Sequence, residues 1–112
     1  DVKFRASEII RKNIINCVGD ELHYHFAVEV TNIKGDLGKS SLNRIEAIIY
    51  TSKSSHKPIL IGEGGRKLKI IRLQSIKELK HIFQGDVHLS LWVKLVSCWN
   101  KNSALLDFMG IS

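Results

Sequence analysis

The chain has 112 residues, 44% of them hydrophobic and 25% charged, and these proportions are ordinary for one globular domain. They exclude intrinsic disorder and a collagen-like repeat, and two cysteines, Cys17 and Cys98, are too few for a disulfide framework. Seventeen Lys and Arg residues against eleven Asp and Glu residues give a net charge of +6, which favours nucleic acid or an acidic membrane surface as partner, although solubility alone also accounts for it.

The first half of the sequence predicts one helix and two strands. Apolar residues recur at helical spacing over 6–18, and Gly19 ends that helix. Alternating apolar and polar residues predict a half-buried strand over 24–31 and a second strand over 44–52. The polar segment 34–43 joins them, so the two strands should form a wide hairpin.

The second half predicts two helices, a strand and a last short helix. A short helix begins near Pro58, and a long one with an apolar face and a basic face runs over 66–83 until Gly85 stops it. Alternate Val and Leu residues predict a strand over 87–95, and a final helix covers 102–109. Three strands with helices packed on one face predict a two-layer domain of the α/β or α+β class.

One segment carries the functional signal, because an apolar run, a Gly-x-x-Gly loop and a basic helix follow one another over 59–71. Glycines let a phosphate approach the main chain, and the N–H groups at the helix start attract anions. The same glycine pattern alone also fits a tight helix–helix turn. The candidate RNA-binding residues are Ile59, Ile61, Gly62, Glu63, Gly64, Gly65, Arg66, Lys67 and Lys69. Placed between two helices, the loop follows the KH pattern, in which it clamps about four backbone nucleotides.

Several stretches outside this loop carry a resemblance to one protein family. They are residues 6–11, 20–24, 59–69, 87–95, Trp99 and 105–110, and Leu91-Trp92-Val93-Lys94 is the most specific of them. Over nearly the whole chain they resemble the C-terminal RNA-binding domain of the Era family of ribosome-assembly GTPases. The resemblance implies a type II KH fold, α-β-β-α-α-β-α, with a three-stranded mixed sheet and helices on one face.

The resemblance also implies a setting for the domain. Residues 1–112 would form a single KH domain, cut from a parent whose N-terminal GTPase domain uses GTP and Mg, while the fragment itself needs no cofactor. The absence of an initiator Met at Asp1 agrees with a fragment. The RNA partner would be the 3′ end of small-subunit ribosomal RNA, bound during assembly of the small ribosomal subunit. A monomer in the bacterial cytoplasm is expected, with peripheral membrane association of the parent, or an organelle of bacterial descent, as alternatives.

Carried over by position, Ile59 and Ile61 would line the RNA groove, Lys67 and Lys69 would face phosphates, and the strand from Val87 would form the other wall. Nucleotide bases would be read on their edges within this groove.

Three positions depart from the family pattern. Glu63 stands where a basic or neutral residue is usual, Arg72 where a glycine is usual, and His23 where a proline is expected. A carboxylate beside a phosphate costs on the order of 1 kcal/mol in a watery setting. We therefore expect Glu63 to weaken backbone affinity and Arg66 and Arg72 to offset part of the loss. The alternative is a KH-fold protein-docking domain with weakened or lost RNA binding, and steep salt dependence would distinguish RNA binding from it.

The histidines offer only a weak metal hypothesis. His23 and His25 lie two apart at a strand start and point the same way, but no third ligand accompanies them. His56 and His81 are expected on the surface, and His88 is expected to face outward from its strand.

Catalysis is not indicated by any motif of the sequence. The Gly-x-Ser-x-Gly, H-E-x-x-H and G-x-x-x-x-G-K-[ST] patterns are all missing, so this chain is not expected to be an enzyme. Trp92 and Trp99 are large enough to stack on bases, but packing beneath the last helix is the favoured role for both.

Overall fold

A computed structural model of the protein describes residues 1–22, 25–35 and 42–96. Within them lie three α-helices and three strands, in the predicted order. These are α1 (Val2–Val18), β1 (Phe26–Lys34), β2 (Leu42–Thr51), α2 (His56–Ile61), α3 (Arg66–Phe83) and β3 (Asp86–Leu95). The helix predicted over 102–109 lies outside the described residues, as do Cys98 and Trp99. None of the helices in the described part is long and apolar enough to cross a membrane.

The three strands form one mixed sheet with β2 in its centre. β1 pairs with β2 in antiparallel orientation, as the predicted hairpin requires, and β3 pairs with β2 in parallel. A bulge interrupts the pairing between Val30 and Asn32. Because one extra residue reverses the alternation of a strand, both Val30 and Ile33 pack towards the core. The predicted α+β architecture with a mixed sheet is confirmed.

The helices and one face of the sheet enclose a single aliphatic core. Every third or fourth residue of α1 and α3 is buried against alternate residues of the strands. Fully buried members are Ala6, Ile10, Ile14, Leu22, Ile45, Ala47, Ile49, Leu60, Ile71 and Leu79. Burying one Ile or Leu side chain contributes about 1.5–3 kcal/mol, so this core holds α2 and α3 firmly on the sheet. The loop between those two helices is thereby fixed in place.

A polar link between α1 and α3 sets the orientation of α3. The buried Asn13 amide donates to the Ser75 hydroxyl at 3.2 Å and to Glu78 at 2.9 Å, and Lys12 forms an ion pair with the same Glu78 carboxylate. Two hydrogen bonds lower the pKa of Glu78, and the one from Lys12 has a larger effect than the one from Asn13. One flank of α3 therefore packs against α1, and the opposite flank of α3 faces away from α1.

Four side-chain expectations can be compared with the structure. His81 is exposed on α3 and His88 faces outward from β3, as predicted. The prediction for His56 was wrong, because this first residue of α2 is only 6% exposed. Trp92 is 49% exposed on the sheet face opposite the helices, and the last helix, beneath which it was predicted to pack, lies outside the described residues.

Candidate nucleic-acid interface

The Gly-x-x-Gly loop (residues 62–65, hereafter the GXXG loop) is a compact turn between α2 and α3. The Gly62 amide donates to the Pro58 carbonyl oxygen at 2.8 Å and so closes the end of α2. The Gly65 amide donates back to the Gly62 carbonyl oxygen at 3.1 Å. The φ angles of Gly62, Gly64 and Gly65 are 75°, 63° and 79°, a region that glycine enters without steric cost. The sequence thus supplies glycine where the backbone needs it.

The glycines of this loop have different surroundings. A Cβ atom at Gly62 would lie 2.6 Å from Cγ and 2.9 Å from the backbone nitrogen of Lys67, so no side chain fits there. A Cβ at Gly64 or Gly65 would meet no atom within 4 Å. Gly62 is therefore required by the turn itself. Gly64 and Gly65 instead leave an open stretch of backbone that a phosphate group can approach closely.

The start of α3 presents positive electrostatic potential to this open stretch. Gly65 occupies the N-cap position, where no side chain bonds to the first helical amides, and the positive end of the helix dipole points at the loop. Arg66 and Lys69 are exposed within the first turn. The exposed Glu63 carboxylate is the acidic group in the loop and opposes them. The arrangement favours an anion beside the loop, with Glu63 reducing that preference.

The predicted basic residues of α3 do not share one side of the helix. Lys67 lies towards α1, since its carbonyl oxygen is 3.8 Å from the Cys17 sulfur and its side-chain stem lies against Gly62. At 100° per residue, Lys69 and Arg72 fall on the flank turned away from α1. Arg72 is part-buried and Lys69 exposed. Arg72 therefore shares a flank with Lys69. The sequence predicted only that the charge of Arg72 offsets part of the effect of Glu63.

Aliphatic side chains adjoin the loop on the predicted groove side. Leu60 is fully buried and anchors α2, while its neighbours Ile59 and Ile61 are part-buried and keep some accessible surface. In β3, Leu91 and Val93 are likewise part-buried on the face that meets the helices. Ile59, Leu91 and Val93 pack on the same core. The structure thus brings an apolar surface, open glycine backbone and basic side chains into one region.

Comparison with known proteins identifies the family. The family model described as KH domain matches residues 21–100, well over half of the chain. The chain belongs to the KH domain family. The match includes the GXXG loop together with both helices that flank it and all three strands.

Among curated relatives, this KH domain is similar to GTPase Era of several bacteria. It is 32% identical to GTPase Era of Nitratidesulfovibrio vulgaris over 111 residues, covering 99% of this chain and 36% of that protein. Identity to GTPase Era of Xylella fastidiosa is 35% over 108 residues, covering 96% and 35%. The chain thus spans about a third of the length of the curated relatives it matches.

Solved structures give the same relationship. A crystal structure of Era in complex with MgGDPNP and nucleotides 1506–1542 of 16S ribosomal RNA superposes with a TM-score of 0.88 at 29% identity, covering 98% of this chain and 36% of that one. A crystal structure of Aquifex aeolicus Era bound to GDP and aluminium fluoride gives a TM-score of 0.86 at 29% identity, with the same coverage. The predicted resemblance to the Era KH domain, and with it the type II KH fold, is confirmed.

Proposed function

We propose that this KH domain binds single-stranded RNA, at the 3′ end of small-subunit ribosomal RNA, through the GXXG loop and the adjoining apolar groove. The observation that carries the proposal is the open backbone at Gly64 and Gly65, which leads into the uncapped start of α3. Membership of the KH family and the fold shared with an Era protein crystallised with 16S ribosomal RNA support it.

The loop would hold the RNA backbone by close approach and by charge. With no Cβ atom at Gly64, a phosphate can reach the main chain, and the α3 dipole adds about 0.3–1 kcal/mol for an anion at its end. Arg66 and Lys69 are exposed within the same helical turn and would contact successive phosphates. Lys67 would contribute from the α1 side of the loop.

The bases would lie on the apolar side of the loop. Ile59 and Ile61 keep accessible surface beside the glycines, and β3 from Val87 would supply the opposite wall. Unstacked bases held there expose their edges to hydrogen-bonding groups, which is how single-stranded RNA is usually recognised. The apolar surface would thus orient the bases, and the loop would fix the strand.

The wider setting belongs to the same proposal. The parent would be an Era-like GTPase that acts in assembly of the small ribosomal subunit, is monomeric and resides in the bacterial cytoplasm. GTP and Mg would belong to its separate GTPase domain, because the proposed residues of this chain serve an RNA strand. Glu63 would lower the affinity for RNA relative to relatives with a neutral loop, and Arg66 and Arg72 would restore part of it.

The test is fluorescence-anisotropy binding of this chain to a labelled strand matching the 3′ end of small-subunit ribosomal RNA, with a scrambled strand of equal composition as control. We expect tighter binding to the ribosomal strand and a steep loss of affinity with salt, because phosphate contacts release counterions. Equal binding to the two strands would remove the sequence preference. No binding to either would move the function to protein docking on a KH scaffold.

A matched pair of variants tests the loop itself. Gly64→Asp places a carboxylate where the phosphate is proposed, whereas Gly64→Asn adds a neutral side chain of the same shape at the same φ of 63°. Nothing lies within 4 Å of the new Cβ, so both variants should fold. Gly64→Asp should weaken binding far more than Gly64→Asn. Equal effects of the two variants would place the phosphate elsewhere.

A further inference from the structure

Beyond its first turn, α3 presents a second basic surface. The residues on the side of the helix that faces away from the core are exposed and form one stripe along the helix, called here the α3 outer face. It consists of Arg66, Lys69, Ile70, Leu73, Lys77 and Lys80. Lys77 and Lys80 lie about three to four helical turns beyond the GXXG loop. They have no part in the RNA groove described above.

No carboxylate of α3 offsets these charges. Glu78 is the acidic residue of the helix, and it is turned to the α1 flank, where Lys12 and Asn13 hold it. Lys77 and Lys80 stand instead on the exposed side. The outer face therefore carries four positive charges over about 21 Å of helix at 1.5 Å per residue. A polyanion that runs along the helix axis would match this spacing.

The stripe is continuous with the proposed phosphate site. Arg66 begins both the outer face and the helix that receives the loop-bound phosphate, and Lys69 follows one turn later. A KH groove holds only about four nucleotides, so a longer RNA must leave the loop in some direction. The positive potential along the α3 outer face favours a path for the RNA along this face of the helix.

We propose that the α3 outer face binds the phosphate backbone of the nucleotides that flank those held in the groove, with Lys77 and Lys80 as contacts outside the groove. The inference rests on the proposed RNA binding and extends it from a loop to a surface. The apolar part of the stripe, Ile70 and Leu73, is too small to favour insertion into a lipid surface, which requires a broad apolar helix face. The broad apolar side of α3 is already buried in the core.

The test compares two RNA lengths with one double variant. Lys77→Gln with Lys80→Gln removes two charges while retaining good helix formers at both positions. The RNAs are the strand of nucleotides 1506–1542 of 16S ribosomal RNA and a strand of about six nucleotides from its 3′ end, which fills only the groove. The slope of log affinity against log salt for the long strand should fall by about 1.4, and its affinity at 0.1 M salt by about 25-fold. The short strand should bind the variant as it binds the wild type.

A charge-matched control separates a local contact from general attraction. Lys34→Gln with Arg44→Gln removes the same charge from register partners exposed on the sheet face opposite the helices. Because charges more than about 10 Å apart are screened at 0.1 M salt, this control variant should lose less than about threefold in affinity for the long strand. If the control weakens long-strand binding as much as the double variant of Lys77 and Lys80, the inference is overturned.

The remaining outcomes are equally decisive. An unchanged affinity of the Lys77 and Lys80 variant for the long strand overturns the inference, while short-strand binding by the wild type still supports the groove. Failure of the wild type to bind the short strand instead rejects the proposed function, and the inference falls with it. Vesicles of phosphatidylglycerol and phosphatidylcholine form the last arm. If the double variant loses binding to them and keeps its RNA affinity, the surface serves lipid headgroups and the inference is wrong.

Discussion

Replacing Gly62 by alanine should destabilise the domain more than any other glycine change in the GXXG loop. Its φ of 75° and ψ of 173° lie in a region that only glycine occupies readily, and holding another residue there costs on the order of 1–3 kcal/mol. The new Cβ would also lie 2.6 Å from Lys67 Cγ and 2.9 Å from the Lys67 nitrogen, and overpacking of this kind costs about 1–3 kcal/mol. A loss of about 3–4 kcal/mol in unfolding free energy is the expected result.

Gly64→Ala is the matched control for Gly62→Ala. Its φ of 63° is a left-handed helical value, its Cβ meets nothing within 4 Å, and the expected cost is only about 1 kcal/mol. Urea unfolding followed by circular dichroism measures both variants, and the midpoint should fall about three times further for Gly62→Ala with an unchanged slope. Equal losses in the two variants would refute the claim that Lys67 excludes a side chain at Gly62.

Three further predictions concern single carboxylates. Glu63→Gln should strengthen RNA binding about fivefold at low salt, since it removes a repulsion of about 1 kcal/mol, and anisotropy titration would contradict this if affinity stayed constant. Glu78→Gln should lower stability at pH 7 by no more than about 1 kcal/mol, because the Lys12–Glu78 ion pair is well exposed. Folding lowers the pKa of Glu78, so its contribution to stability is present above the unfolded pKa and disappears as pH falls through the folded pKa. The stabilities of the variant and the wild type, measured by unfolding at decreasing pH, should therefore converge in acid. Burial, with a smaller effect of the hydrogen bond to Glu29, raises the pKa of Tyr50 to about 12, so the phenolate absorbance of Tyr50 should appear near that pH. The stability that Tyr50 contributes should be lost as pH rises from 10 through 12. Glu29→Gln should lower the pKa of Tyr50 while leaving it above 10, because burial is the larger cause.

Regular periodicity made most of the fold predictable. The bounds of α3 match the predicted 66–83, and β3 begins one residue before the predicted 87–95. In both elements the buried residues recur at a constant spacing, so sequence and burial carry the same information. The mixed sheet was expected from the resemblance to the Era family and not from periodicity, and a connection through two helices suits its parallel crossover.

Local exceptions to periodicity were less predictable. α1 begins at Val2, because the Asp1 carboxylate accepts from the Lys3 amide at 3.0 Å, but exposed Val2 and Phe4 interrupt the apolar stripe and hid this turn. The bulge beyond Val30 has no sequence signature, since it depends on pairing with a partner strand. The bulge therefore arises from interstrand backbone hydrogen bonds that a residue pattern does not encode.

At the candidate site, the sequence predicted the position of the loop but not the different surroundings of its glycines. The glycine pattern cannot distinguish Gly62, which a neighbouring side chain confines, from Gly64, which faces open space. The buried position of His56 and the exposed position of Trp92 also depend on how separate elements pack. These are tertiary effects, and histidine and tryptophan occur at both kinds of position.

The most direct test of the central claim is an amide chemical-shift titration of this KH domain with the ribosomal 3′-end strand. The account predicts that the largest shifts occur at Gly64, Gly65 and Lys69, and that the Trp92 indole on the opposite sheet face is unaffected. Largest shifts at the Trp92 face, with the loop glycines unchanged, would contradict binding through the GXXG loop.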